Sequence, residues 1–363
     1  MFYNREDEQK ELLAIVNMEP ALVYFVYGPI NSGKTNLITK VLQSLSEPVV
    51  PFYVNLRGRN VSSSENFLNV LFSVDRKSRF ESAQDYLKEL LKGGADMLKQ
   101  TTGIPIPARI FDLLFQTKDK GEDVFHYLEM FFTTLVEGKQ LKPVFVLDEL
   151  QMLKGVVNSR GNLLLDNLFN FFVRITKETH LCHCFVISSD SVFIQQVYGH
   201  ARLKGRSDYV LVDDLDKARA FDMYEKFRFK EQERVWSYLG GKIGDMFLLH
   251  SKLQRGYSLI ESLETMLRYE VDSLKLIKAR LLEQDEQKCS RMMELLFQVG
   301  REGALQFDPE SMRHAVYAWV DENVLFLDPI MGVVRTQGQL AQRAIHELQM
   351  TSQPVTRHKD EKK

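Results

Sequence analysis

Leu22-Val23-Tyr24-Phe25-Val26-Tyr27-Gly28-Pro29-Ile30-Asn31-Ser32-Gly33-Lys34-Thr35 is the stretch whose reading decides the fold. Leu22 to Tyr27 run without a polar break, as a strand buried on both faces does, and they lead straight into a complete G-x-x-x-x-G-K-T. Beyond it Leu37, Ile38, Val41, Leu42 and Leu45 recur at helical spacing up to about Ser46. Strand, glycine-rich turn and amphipathic helix follow one another in the order that a phosphate-binding loop requires, which a chance match in a surface turn would not provide.

The chemistry of such a loop is electrostatic. Glycines let the backbone approach a phosphate chain closely, and successive N–H groups and the helix N-terminus favour an anion. The candidate phosphate-binding set is therefore Gly28, Pro29, Ile30, Asn31, Ser32 and Gly33, with Lys34, Thr35 and Asn36 in the first helical turn. Lys34 reaches the β and γ phosphates, and the Thr35 hydroxyl binds Mg²⁺.

Further apolar runs of strand length alternate with helical patterns. Val49 to Leu56 forms a second strand; Pro143 to Leu147 forms a third and ends in Asp148-Glu149. Leu181 to Ile187 forms a fourth and ends in Ser188-Ser189-Asp190, and Tyr209 to Val212 closes the set. The alternation predicts an α/β fold, a five-stranded parallel sheet flanked by helices. Ligands bind at the carboxyl ends of strands in such sheets. That places Asp148 to hold Mg²⁺ and Glu149 to polarise an attacking water; the competing reading of the pair is an acidic turn at a strand end. Ser188 or Ser189 is placed to hydrogen-bond a γ-phosphate or the attacking water, while serine and Asp at this strand end are equally good caps for the helix Val192 to Tyr198. Of the cations in Arg202-Leu203-Lys204-Gly205-Arg206, Arg206 is the candidate to reach a γ-phosphate in its own or a neighbouring subunit; Arg202 and Lys204 read as solvated surface.

Composition limits the remaining classes. The chain of 363 residues has 44% hydrophobic and 26% charged residues, with a formal net charge of −2, so contact with nucleic acid requires a local patch. Cys182, Cys184 and Cys289 read as core thiols of a reducing compartment, and no second ligand pair completes a zinc motif around Cys182-His183-Cys184. The start Met1 to Glu6 is polar and charged where a signal peptide would be apolar, and no apolar run is long enough to span a bilayer, so the expectation is a cytoplasmic location with no membrane partner.

The pattern over Val61 to about Gly138 is helical but interrupted, and its role is not legible. Beyond Asp216 the expected helices are Lys217 to Phe227, Glu231 to Leu239, Asp245 to Gln254, Leu259 to about Leu282, Ser290 to Val299 and Pro309 to Asp321, with no strand before Val324. Two short β runs, Val324 to Leu327 and Val333 to Arg335, and a helix over Gln339 to Leu348 complete it. Helices followed by a hairpin have the outline of a winged helix-turn-helix. The expected division is 1–213 for the nucleotide-binding core, 214–285 for a helical lid, 286–350 for a winged-helix domain and 351–363 for a polar tail.

Phe2-Tyr3-Asn4-Arg5-Glu6-Asp7-Glu8, Gly28 to Thr35, Val144 to Glu149, Ser188 to Asp190, Gly205-Arg206 and Gly240-Gly241, in that order, resemble the archaeal-type ATPases of the STAND class, relatives of AAA+ proteins and of origin-recognition ATPases. The resemblance spans roughly the whole chain. It implies ATP as the nucleotide, a helical lid, a C-terminal winged helix, and Asn4 and Arg5 beside the adenine with Arg206 on the phosphate side. One departure stands out: relatives have Gly-Gly-x-Pro in the lid, whereas this chain has Ile243 at the fourth position.

The expected function is a Mg²⁺-dependent ATPase acting as a nucleotide-driven switch, with Lys34, Glu149, Ser188, Ser189 and Arg206 as its catalytic groups. The alternative is a DNA-binding regulator with ATP as a structural or slowly turned-over ligand. The helix Pro309 to Asp321 offers Arg313 and His314 against Glu310 and Asp321, which leaves DNA or a protein as the partner of that module. A small-molecule kinase fits less well, since Glu149 as a water-activating base has no use in transfer to an acceptor.

Overall fold

The computed structural model describes residues 5–59, 61, 67, 123–157, 161 and 163–352. Asn4, most of the expected insertion over 61–138 and the tail from residue 353 lie outside the described residues. The described chain forms two compact units. One draws on Met1–Tyr27, Lys34–Ser189 and Gln196–Leu211; the other draws on Gly28–Gly33, Asp190–Gln195 and Val212–Lys363.

The first unit is built on a parallel sheet. Its elements are α1 (Glu6–Asn17), β1 (Val23–Tyr27), α2 (Lys34–Ser44), β2 (Val49–Asn55), α3 (Asp123–Lys139), β3 (Lys142–Asp148), α4 (Leu164–Val173), β4 (His183–Ser188) and β5 (Ser207–Leu211); α5 (Ser191–Tyr198) precedes β5 in the chain and is divided between the units, its residues up to Gln195 belonging to the second. The strand order is β2-β3-β4-β1-β5 and every pairing is parallel. All residues of β1 and β4 are buried, which is why these strands read as unbroken apolar runs instead of an alternation. Phe132 of α3 packs edge-on to Phe52 and tilted on Phe145, which meets Phe172 of α4.

Register fixes the working edge. Tyr27 pairs with Ser188, Asp148 pairs with Ile187 on one side and with Asn55 on the other. The carboxyl ends of β1, β2, β3 and β4 therefore lie side by side, where ligands of open α/β sheets bind.

The second unit contains α6 (Lys217–Lys226), α7 (Gln232–Leu239), α8 (Ile243–Gln254), α9 (Leu259–Gln284), α10 (Glu286–Glu302), β6 (Ala304–Gln306), α11 (Arg313–Asp321), β7 (Leu325–Asp328), β8 (Val333–Thr336) and α12 (Gln339–Ser352). One apolar core runs from Val192 through Leu215 to Leu348 and includes the α9 stripe Leu263, Met266, Leu267, Val271, Leu274, Ile277 and Leu281. At its centre Trp319 is fully buried and donates its indole N–H to the Met292 carbonyl at 2.8 Å. Asp216, Ser258 and Asp285 cap α6, α9 and α10 by accepting backbone N–H groups.

Three features depart from the sequence expectation. A strand, Ala304–Gln306, precedes Val324 and joins β8 and β7 in an antiparallel sheet of order β6-β8-β7; three residues are too few to show a period. The helix expected from Pro309 begins at Arg313, because Asp308 accepts the Glu310 N–H at 3.0 Å and the Ser311 hydroxyl at 2.5 Å and ties the preceding residues into a turn. α10 is longer than the expected Ser290 to Val299, since Asp285 caps it at one end and Gly303, at φ 78°, stops it at the other.

Candidate active site

Within the first unit the polar side chains at the strand ends form two hydrogen-bonded sets, one on Asp148 and one on the adjacent Glu149. The Thr35 hydroxyl donates to Asp148 Oδ2 at 2.8 Å, and the Tyr53 hydroxyl donates to the same oxygen at 2.8 Å. Asp148 closes β3 and is almost fully buried, and burial raises its pKa against the lowering effect of those two hydrogen bonds. Burial likewise pushes the Tyr53 phenol well up, with the Asp148 carboxylate adding to it. Tyr53 therefore stays a hydrogen-bond donor at physiological pH.

Glu149 follows in a left-handed conformation, at φ 64° and ψ 41°, and opens a 3₁₀ turn over Leu150–Leu153. A glutamate seldom adopts this region, and such outliers are kept where the surroundings over-determine them. Here its N–H is tied to the Ile187 carbonyl at 3.0 Å, while Arg57 holds Oε1 and the Gln151 carboxamide donates to Oε2. Gln151 also accepts the Ser188 hydroxyl at 2.9 Å. At the start of α5 the Asp190 carboxylate accepts the Phe193 N–H at 2.8 Å, the bond of a helix cap. Ser189 follows β4, partly exposed.

The glycine-rich segment Gly28–Gly33 belongs to the second unit. Gly28 has φ 152°, and a Cβ there would stand 2.2 Å from the Val212 carbonyl oxygen, so the residue is required by packing as well as by any ligand. Asn31 and Gly33 also have positive φ, and the Ser32 N–H turns back to the Pro29 carbonyl at 3.3 Å. Chain connectivity carries this segment directly into Lys34, which is buried at the start of α2, with Asn36 exposed in the same turn.

Other candidates fall elsewhere. Arg5 is buried at the N-terminus of α1, where it pairs with Glu8 at 2.6 Å, a contact to its own helix. The structure does not bring Arg206 to the strand-end cluster. Its carbonyl accepts the Val23 N–H at 3.0 Å, so it precedes β5 at the amino edge of the sheet, and its guanidinium donates to the Arg202 carbonyl at 3.0 Å. With about 3.3 Å of rise per residue, the length of a strand separates it from the carboxyl ends. Within its own chain this corrects the expected γ-phosphate role. Ile243 takes the first position of α8.

Tyr53, Asn55, Arg57 and Gln151 take part in these bonds and were not singled out by sequence reasoning. Gln151 had a local signal, standing two residues past Glu149. Tyr53 and Arg57 had none, because only the pairing of β2 with β3 brings them to Asp148 and Glu149.

Among the described residues no group of three or more His, Cys, Asp or Glu side chains is placed to hold a metal ion, and no helix is long and apolar enough to cross a membrane. Cys182 and Cys184 are buried thiols whose pKa burial raises. One carboxylate and one hydroxyl, both hard oxygen donors, do fit Mg²⁺, which takes one or two protein ligands and completes its shell with water and substrate phosphates.

A family model described as an ATPase domain predominantly from Archaea matches residues 2–249. Two relatives from Methanocaldococcus jannaschii, each called an uncharacterized ATP-binding protein, are 38% and 36% identical; each alignment covers 96% of this chain and 98% or 99% of the relative. Among solved structures, a Walker-type ATPase of Pyrococcus abyssi is similar in fold, with a TM-score of 0.63 at 14% identity over 95% of this chain and 96% of its own.

Proposed function

Since this chain belongs to the ATPase domain family found predominantly in Archaea, we propose that it hydrolyses ATP to ADP and phosphate at the edge formed by Thr35, Asp148 and Glu149, and that the nucleotide state acts as a switch. The observation that carries the reading is the 2.8 Å bond from the Thr35 hydroxyl to Asp148, which joins the phosphate-loop threonine to the carboxylate of β3 beside Glu149.

Phosphoryl transfer to water asks the protein for position and charge more than for covalent chemistry. Gly28 to Gly33 and Lys34 hold the triphosphate. Thr35 and Asp148 hold Mg²⁺, which when bound offsets phosphate charge. Glu149 orients the water and takes its proton as the water oxygen bonds to the γ-phosphorus and the bond to the ADP oxygen breaks. Gln151 fixes Glu149 and links it to Ser188. Asn4 and Arg5 are assigned to the adenine side by resemblance.

For the second unit we propose that 214–285 act as a lid and 286–350 as a winged-helix module. The order α10, β6, α11, β7, β8 and the three-stranded antiparallel sheet support this assignment. The module is then the part that reads the nucleotide state, with duplex DNA or a protein as its partner.

The test is steady-state phosphate release by wild type, Lys34→Ala and Glu149→Gln, each with and without duplex DNA. Lys34→Ala loses nucleotide binding, whereas Glu149→Gln keeps binding and loses turnover by a factor on the order of 10² to 10⁴. Turnover unchanged in Glu149→Gln removes that residue as the base. Turnover raised by duplex assigns DNA as the partner; turnover absent throughout, with ATP bound, favours a binding switch without hydrolysis.

A further inference from the structure

We infer that Lys242 and Gln337 are positioning residues that hold the phosphate loop in shape through the two backbone polar groups of Ile30, so that the C-terminal segment of the chain helps to set nucleotide affinity. The nucleotide part of this inference rests on the proposed function; the holding of the loop does not.

Ile30 is the third residue of the loop. Its N–H donates to Gln337 Oε1 at 3.1 Å, and its carbonyl accepts Lys242 Nζ at 3.0 Å. Both partners come from far along the chain, Gln337 from the turn between β8 and α12 and Lys242 from the residue before α8. Gln337 is not free to choose another pose. Its own N–H donates to the Val324 carbonyl at 3.0 Å and its Nε2 to the Leu325 carbonyl at 3.0 Å, which leaves Oε1 aimed at the loop.

Lys242 is only 5% exposed, and a buried ammonium is costly unless its donors are taken up. A second contact, to Asp214 Oδ1 at 3.3 Å, supplies the counter-charge, and Asp245 and Glu270 lie within its field. A Cβ at Gly338 would stand 2.4 Å from Lys242 Cε, and one at Gly244 would stand 2.6 Å from Asn31 Cβ, where the Gly244 N–H already donates to the Asn31 carbonyl at 3.3 Å. Two glycines thus admit the lysine and the loop.

A loop held this way is ordered before an anion reaches it, which removes part of the ordering cost from binding. Linkage makes the relation reciprocal: whatever moves the start of α8 or the β8–α12 turn changes nucleotide affinity, and bound nucleotide biases those elements in return.

Full-length Gln337→Met, Lys242→Met and Lys242→Arg test the inference by amide exchange in nucleotide-free protein and by MgADP and MgATP binding. In the two Met variants, exchange across residues 28–36 rises about tenfold or more while α9 exchanges as in wild type, and nucleotide affinity falls by a similar factor. Lys242→Arg, which keeps a cation and its donors, recovers most of both. Exchange of 28–36 at the wild-type rate in folded Gln337→Met overturns the inference, as does an increase spread equally over α9. If Lys242→Met leaves Asp214 without its partner and does not fold, Gln337→Met alone decides. A wild type that binds neither nucleotide defeats the ATPase reading, and the exchange arm still judges the latch.

Discussion

The Ser188 hydroxyl donates to the Gln151 carboxamide at 2.9 Å, and the other end of that carboxamide donates to Glu149. One side chain therefore joins the last residue of β4 to the carboxylate that follows β3. The amide is polar at both ends and fixed at both ends, so a disturbance at Ser188 is passed to Glu149 as a change of position and not of charge.

Gln151→Leu breaks this link at nearly constant size. A hydrogen bond to a charged group is worth roughly 1.5–3 kcal/mol, so kcat falls by about 10- to 100-fold if the bond is needed when water is attacked. MgATP affinity stays near wild type, because Gln151 bonds neither Thr35 nor Asp148. Parallel kcat and binding measurements check this; a loss shared equally between them would show that the substitution had disturbed the phosphate site instead.

Arg57→Ala is expected to act in the opposite direction. Both Glu149 oxygens are occupied, and one must be released before the carboxylate can take a proton from water. The Arg57 side chain is 71% exposed and is the partner easier to detach. Basal phosphate release then rises a few-fold, while stability changes by no more than about 1 kcal/mol, the usual worth of an exposed pair. Turnover below wild type would instead make the guanidinium a part of the working geometry.

The strands and the loop were legible because burial on both faces writes itself as an unbroken apolar run, and because the loop motif has fixed spacing. Asp148 and Glu149 followed from the end of such a run. What could not be read was lateral order. Local periodicity says nothing of β2 lying beside β3, so Tyr53 read only as part of a strand and Arg57 carried no signal. The same limit put Arg206 on the phosphate side by motif, while the register of β5 with β1 sets it at the amino edge. In the second unit, β6 was too short to show a period, and the start of α11 was decided by the Asp308 side chain.

The charges around Lys242 predict a pH dependence of stability. Burial pushes Asp245 from its ordinary value up to about 7, and burial also raises Asp214 and Glu270; Lys242 opposes all three, Asp213 and Arg335 act on Asp214 in opposite directions, and the Tyr224 phenol lies in the field of Asp245. A carboxyl with a raised pKa in the folded state holds its proton where the unfolded chain has lost it. Its contribution is therefore fully present below about pH 4 and is lost as the pH rises through about 7. Asp245→Asn removes that loss. Urea unfolding from pH 5 to 8 then shows a flatter profile for the variant, which exceeds wild type by roughly 1–2 kcal/mol at pH 8. Parallel profiles would remove Asp245 as the titrating group.

Gly28→Ala separates what the first glycine of the loop does for ligand from what it does for the fold. The added Cβ would meet the Val212 carbonyl oxygen at 2.2 Å, a contact with backbone that no rotamer relieves, at a residue whose φ of 152° already disfavours a side chain. The cost falls on the nucleotide-free protein, on the order of 3 kcal/mol, as a thermal transition lowered by roughly 5–10 °C. A substitution that harmed only phosphate approach would leave that transition in place and weaken binding alone. Calorimetry without nucleotide distinguishes the two: a shifted transition places Gly28 in the packing of Val212, and an unshifted one confines its role to the ligand.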